Sequence, residues 1–540
     1  MKWIANNIFS KLVLGAIAIL AQLAWICYML YRATAISKSF NLLFNILAVV
    51  LALYIINKDI KLYFKLSWVF FILCFPVAGL PCYFLFGRSD LTRKRRKRLA
   101  KVHEQISVHR KENPKIKNRL KEDENAWHQS AYITKNGKYP IYQEENTTYY
   151  KTGEDMFPQF LEDLRSAKEY IFLEYFILAP GVMLDSIVDI LEQKVKEGVH
   201  VRLLYDDVGS IKCLPNHYYR GLQEKGIHCA LFHPFRPMMS IIMNNRDHRK
   251  ICVVDGRIAY TGGVNLADEY INEIERFGYW KDEAIRVTGE SAWGFAMMFM
   301  ELWNYCVGGY EDCMKFCPPE FLSDAAADDD MAAAARQRVA VENSSVGFEP
   351  VSDGRNVGTG YVQPFSDSPL DHEYISENVY LNIINRANRY VYIFTPYLIT
   401  SQEIATALIT AAKSGVDVRI VTPEIPDKKL PYLLTQSNYE PLIKDGVKIY
   451  QYTPGFIHSK CILADDIYGV VGTINLDYRS LYLHFECGVY LYKAKALATL
   501  KEDMLETFDV SHEVVLKDHH GKNFFFQLFL SVLRLLAPLF

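Results

Sequence analysis

Read for apolar and polar positions alone, the chain begins with three nearly unbroken hydrophobic runs. Leu12 to Tyr31, Phe40 to Asn57 and Leu66 to Phe86 contain no charged residue. Spanning a hydrocarbon core takes about 20 apolar residues in a helix, so three membrane crossings are predicted. The first run is too long for the apolar part of a cleaved signal and has no clear small-x-small cleavage site. The third, interrupted by Pro76 and Pro81, also fits a kinked or re-entrant element. After a polar segment from about 100 to 150, short β-branched and aromatic runs alternate with amphipathic stretches. Tyr170 to Phe176 reads as a strand, Leu184 to Lys196 as a helix and Gly198 to Tyr205 as the next strand.

The same order returns in the second half. Tyr390 to Thr395 is followed by Ile404 to Lys413 and then by Gly415 to Val421, and Glu224-Lys225-Gly226-Ile227 has its counterpart in Lys444-Asp445-Gly446-Val447. A duplicated unit of this kind predicts two similar α/β lobes packed face to face. Between them, Ser323 to Asn343 is rich in alanine and aspartate and reads as an exposed linker or a loosely attached helix. At the carboxyl end, Asn523, Gln527, Ser531 and Arg534 draw one polar stripe along an otherwise apolar helix, which suits the headgroup region of a membrane better than a crossing. The expected organisation is a transmembrane region at 1–87, a basic juxtamembrane segment at 88–150, lobes at 151–322 and 359–515 joined by a linker at 323–358, and an interfacial helix at 520–540.

Composition changes this picture in two places. With 540 residues and a formal net charge of −2 the chain looks bland, but Arg93-Lys94-Arg95-Arg96-Lys97-Arg98 is an unbroken basic run directly after the third apolar stretch. By the positive-inside tendency it places the bulk of the protein in the cytoplasm of a multi-pass membrane protein, and it suits contact with anionic lipids. The 11 cysteines have no zinc-knuckle spacing and their odd number argues against a disulfide framework. Cys306, Cys313 and Cys317 lack a clear fourth ligand, so no metal or other cofactor is expected.

The chemistry lies in a repeated motif. Asp247 to Gly256 reads as a strand whose His248 and Lys250, two residues apart, share one face. The pattern His-x-Lys-x-x-x-x-Asp occurs twice, at His248, Lys250 and Asp255 and at His458, Lys460 and Asp465. Each is followed, 17 residues after its histidine, by an asparagine, Asn265 or Asn475. Two histidine–lysine pairs supply what phosphodiester exchange needs: a nucleophile, a proton donor for the leaving alkoxide and positive charge on the phosphoryl oxygens. One neutral imidazole attacks phosphorus, for which His248 is chosen, and the other, protonated, serves the leaving oxygen. Lys250 and Lys460 neutralise the phosphoryl oxygens while Asn265 and Asn475 donate to them. A carboxylate should brace each imidazole, and the candidates are Asp282, 34 residues after His248, and Glu486, 28 after His458. Asp255 and Asp465 count with the catalytic motif, but their odd offset and their position at apparent turns point to structural work. His217, His233, His484 and His519-His520 recur in no matched motif and read as surface or packing residues. Gly262-Gly263 is read as a tight turn that lets backbone approach the phosphate.

The doubled motif resembles the signature of the phospholipase D superfamily over about 150 to 515, and within it the bacterial-type cardiolipin synthases. Asn245 to Lys250, Thr261 to Tyr270, Asn475 to Ser480 and Tyr83 to Arg88 carry this resemblance. It implies two pseudo-symmetric lobes of mixed sheets flanked by helices behind a helical transmembrane region. It also implies transfer of a phosphatidyl group from one phosphatidylglycerol to another with release of glycerol. The chain departs from the family in carrying His484 where asparagine is usual, Thr473 where serine is usual, and an extra leading apolar span. A hydrolytic phospholipase D, or a transferase using another alcohol, is the alternative. A nuclease is disfavoured because the strongest basic run abuts the membrane segment rather than the motifs. Oligomeric state leaves no mark on the sequence.

Overall fold

The computed structural model describes residues 38–87, 93–234, 245–322, 360–371, 373–516 and 524–537, with isolated positions between 21 and 32. Most of the first apolar run, the alanine- and aspartate-rich linker and His519-His520 lie outside the described residues. The chain forms two compact units, one from residues 1–96, 234–245 and 521–540, the other from 97–233 and 246–520.

The first unit is helical. Lys38–Asn57, 20 residues with a mean hydropathy of 2.3 in its most apolar window, is the one helix among the described residues long and apolar enough to cross a membrane. The third apolar run is not one rod. It breaks at Phe75 into Leu62–Cys74 and Pro76–Phe86. Pro76 has no N–H to continue the preceding helix but fits the first turn of a new one. A Cβ on Gly79 would lie 2.6 Å from the Ile72 Cα, so the two short helices fold back on each other at a point where only glycine fits. Ala48, Ile55, Trp68, Ile72, Leu80 and Tyr83 form the buried contact of this cluster. The carboxyl-terminal helix Phe524–Leu536 meets it where Ser67 Oγ donates to the Leu535 carbonyl at 2.5 Å, and leaves Phe525, Leu528, Phe529 and Val532 exposed. The basic run lies in the helix Arg93–Ser107.

The second unit holds two mixed sheets. In the seven-stranded sheet the order is Thr147–Tyr150, Ala284–Thr288, Ile258–Gly262, Ile251–Val254, Tyr170–Tyr175, His200–Asp206 and His228–Phe232. The nine-stranded sheet contains the run Glu486–Tyr492, Tyr468–Gly472, Cys461–Ala464, Tyr390–Phe394, Asp417–Pro423 and Lys448–Tyr452 in the corresponding order. In both, three strands pair in parallel through crossover helices, Val182–Lys196 in the first sheet and Gln402–Lys413 in the second, and antiparallel hairpins complete the other side. The crossover helices bury one apolar stripe: Met183, Leu184, Ile187, Leu191 in one and Ile404, Leu408, Ala411 in the other.

The motif stretch departs from the expected strand. Only Ile251–Val254 and Cys461–Ala464 are strand, and the histidines and lysines stand just before them. The cause is a competing backbone partner. The His248 N–H donates to the Phe485 carbonyl at 2.9 Å and the His458 N–H to the Lys281 carbonyl at 2.7 Å, so each motif leaves its own sheet to pair with the other half. Around His458 this becomes a short parallel pairing of Gly455–Ile457 with Tyr279–Lys281, and around His248 a parallel bridge between Asp247 and Phe485.

Candidate active site

Each histidine pairs through its backbone with the residue that immediately precedes a carboxylate. Phe485 is followed by Glu486 and Lys281 by Asp282, and the side chains finish the exchange. His248 Nδ1 lies 3.0 Å from both Glu486 oxygens, and His458 Nδ1 lies 2.5 Å from Asp282 Oδ2. The two carboxylates are thus crossed: each comes from the half opposite to the imidazole it braces. Counting along the sequence from a histidine to the next suitable acid finds the right residues and attaches them to the wrong ring. With Nδ1 occupied, each ring is left with Nε2 for chemistry.

The lysines reach back to the same backbone. Lys250 Nζ donates to the His248 carbonyl at 2.7 Å and Lys460 Nζ to the His458 carbonyl. Both ammoniums are buried, and burial pulls Lys250 down to about 8, with Lys460 adding repulsion and Glu486 opposing. Burial also lowers Lys460. His248 is held well below the ordinary imidazole value by burial, then by the charges of Lys250, His484, Lys460 and His458. His458 falls to about 4, again through burial and Lys460, while Asp282 pulls the other way.

The bracing acids differ. Burial raises Asp282, but Lys460 and His458 outweigh it and the carboxylate stays below its ordinary value. Glu486 is pushed well above its ordinary value by burial, against the pull of Lys250 and of the Ser480 and Thr473 hydroxyls that donate to it. In the other half the position matching Thr473 is Gly263, where a Cβ would lie 1.8 Å from Asp282 Oδ1. Glycine is required there by the carboxylate beside it, a more specific reason than a tight turn. Glu283, next to Asp282, is likewise raised well above its ordinary value by burial and by the charge of Asp282, and its Oε1 accepts from the Lys460 N–H at 2.9 Å.

Asp255 and Asp465 stand outside this cluster. Asp255 accepts from the N–H groups of Lys168, Glu169 and Tyr170 at 2.8 Å each, and Asp465 from Asn388, Arg389 and Tyr390 at 2.6 to 2.9 Å. Both have positive φ, 51° and 56°. They tie the hairpin turn to the start of the neighbouring strand. Asn265 Oδ1 accepts from the Ile177 N–H at 3.0 Å and its Nδ2 donates to Tyr270 Oη at 2.8 Å, so its amide is already engaged; Asn475 Oδ1 has no hydrogen-bond partner among the described residues. His484, read as a packing histidine, stands in the site with its ring 5.7 Å from that of His248 and Nδ1 3.8 Å from Glu486. Its position two residues before the bracing acid was the signal available.

Similarity to known proteins agrees with this architecture. The family described as cardiolipin synthase, PLD-like domain, matches residues 160–277 and 380–508, and the phospholipase D-nuclease N-terminal family matches 45–88. The cardiolipin synthase of Alkalihalophilus pseudofirmus is 31% identical over 95% of this chain and 97% of its own. This chain belongs to the cardiolipin synthase family. It is a phospholipase D-type phosphatidyltransferase with two phospholipase D-like halves, and it is membrane-associated. An uncharacterized protein of Streptococcus mutans is 41% identical, covering 90% of this chain and 99% of the other. Among solved structures, phosphatidylserine synthase of Haemophilus influenzae matches 76% of this chain and 100% of its own, at a TM-score of 0.53 and 15% identity, a likeness of fold.

Proposed function

We propose that the enzyme makes cardiolipin from two phosphatidylglycerol molecules, through a phosphatidyl group carried on His248. The crossed bracing of two imidazoles is the observation that carries this reading. Nε2 of neutral His248 attacks phosphorus, forming an N–P bond as the bond to the glycerol oxygen breaks, and His458 gives that oxygen its proton. Glycerol leaves. The hydroxyl of a second phosphatidylglycerol then loses its proton to His458 as its oxygen displaces His248, which restores both rings. The difference between the bracing acids supports this division of labour. Ionised Asp282 favours a protonated His458, whereas His248, ringed by cations, stays neutral and nucleophilic. Lys250 and Lys460 offset the phosphoryl charge, and bound phosphodiester raises His458 toward the range a general acid needs. Asn475 completes the phosphate contacts, with Asn265 fixing the loop beside it.

In this reading the catalytic unit faces the cytoplasm, the apolar helices cross the membrane more than once, and lobes at 151–322 and 359–515 are joined by a linker at 323–358. The exposed apolar face of Phe524–Leu536 rests in the headgroup layer. The test is incubation of the purified full-length protein in detergent with phosphatidylglycerol as the only lipid. Cardiolipin and glycerol in equal amounts are expected, and activity persists with a chelator present. Phosphatidic acid as the sole product would assign the protein to hydrolysis instead.

A further inference from the structure

His484 has the Glu486 carboxylate 3.8 Å from its Nδ1 and several cationic side chains acting on its ring. Its Nε2 is buried with no hydrogen-bond partner among the described residues. The charged groups acting on it are Arg479, Arg246, Lys250 and Lys428, and together with burial they hold its pKa well below the ordinary value. The backbone sets this arrangement: the His484 N–H donates to the Arg479 carbonyl at 2.9 Å, and the Phe485 N–H donates to the Arg246 carbonyl at 2.8 Å. Nearby acids balance the cations individually, Asp206 at 3.3 Å from Arg246, Asp477 beside Arg479 and Asp427 at 3.2 Å from Lys428. Glu486 lies at the His484 Nδ1, on the side away from Nε2, and the charges that act most strongly on the ring are those of the cations. A buried ring nitrogen left without a partner is costly and calls for an explanation, and a bound ligand supplies one. His248, His484 and Glu486 lie close enough to hold a metal ion, their ligand atoms within 4.8 Å of one another, but the same cations repel one. An anion fits the charge.

We propose that the pocket formed by His484, Arg479, Arg246 and Lys428 holds a second phosphodiester, that of the acceptor lipid, while the donor phosphorus lies between His248 and His458. This rests on the transfer reading above. The 5.7 Å between the His248 and His484 rings is a separation that a three-carbon glycerol bridge covers. Half-buried Arg479 offers a planar fork suited to two phosphate oxygens, and exposed Lys428 stands at the rim as a mobile charge. Water and neutral alcohols gain nothing from such a pocket. It therefore favours an acceptor that carries its own phosphate, and so transfer over hydrolysis.

Two reactions of the full-length enzyme in mixed micelles separate the donor site from the acceptor pocket. Exchange of labelled glycerol into phosphatidylglycerol needs the donor site alone, whereas cardiolipin formation needs both. In Arg479→Gln, cardiolipin formation at subsaturating lipid falls about tenfold more than exchange, the loss expected for one charged hydrogen bond, and KM for the acceptor rises. Lys428→Gln, at an exposed position, shifts the same ratio less and in the same direction. Inorganic phosphate at micromolar concentration leaves cardiolipin formation unaffected; strong inhibition there would make the pocket a site for free phosphate and overturn its assignment to the acceptor. A parallel fall of both reactions, or an unmoved ratio in both variants, overturns the pocket while leaving the transfer reading intact. Wild-type enzyme lacking both reactions overturns the transfer reading and the pocket with it.

Discussion

The two halves of the catalytic unit share strand order, motif and turn, yet they finish their histidines differently. His458 meets an ionised Asp282 that fits because Gly263 has no side chain, whereas His248 meets a Glu486 steadied by the hydroxyls of Thr473 and Ser480. Duplication supplies two imidazoles and crossing makes each half depend on the other, so neither half-site is complete alone. In the proposed mechanism the difference between acids is what separates two otherwise equivalent rings into nucleophile and acid. One fold element, repeated, yields two differently braced imidazoles.

The largest effect belongs to the rings themselves. His248→Ala and His458→Ala should each lower cardiolipin formation about 10⁴-fold or more, measured as product in the detergent assay. Equal and small losses would dissolve the comparison. Next come the supports. Gly263→Ala forces Asp282 aside and should cost about 10²-fold in kcat through misplacement of His458. Thr473→Ala removes one of two hydroxyls on Glu486 and should cost roughly tenfold or less. A reversed order of those two variants would mean that the halves are braced in the opposite sense.

Where the halves are alike, effects should match. Asp255→Asn and Asp465→Asn each weaken hydrogen bonds to three backbone N–H groups. Each should lower stability by about 1–3 kcal/mol in denaturant titration, with turnover per folded molecule little changed. The smallest effect is on pH. His458 binds its proton near 6.5 when unfolded and near 4 when folded, and His248 and His484 shift in the same direction. Between those values the unfolded chain holds more protons, so stability is lost as pH falls from about 6.5 toward 4. Thermal melts across that range should fall, and His484→Asn should flatten the slope.

Much of this was legible in the residues. The two His-x-Lys-x-x-x-x-Asp copies, the strand–helix–strand order and the acids Asp282 and Glu486 can all be read without coordinates, because local periodicity and side-chain chemistry specify them. The crossing cannot. It depends on the His248 and His458 backbones leaving their own sheets for Phe485 and Lys281, a pairing between residues far apart in sequence that no local pattern encodes. The sequence marks His484 as a departure before Phe485-Glu486, but its place beside the His248 ring comes from the same long-range contact. The fold-back at Phe75 was partly visible in Pro76, but the need for glycine at position 79 emerges only from its approach to Ile72.

In the proposed mechanism His248 attacks while His458, braced by Asp282 from the other half, handles the proton. The direct measurement is to mix the His458→Ala variant with a short-chain phosphatidyl substrate bearing a phenolic leaving group, quench in base, and map the adduct by mass spectrometry. Such a leaving group needs no proton donor. A phosphatidyl group is expected on His248, accumulating because no base activates the acceptor, and none in His248→Ala. An adduct on His458 in the His248→Ala enzyme, with His248 unmodified in the partner variant, would contradict it.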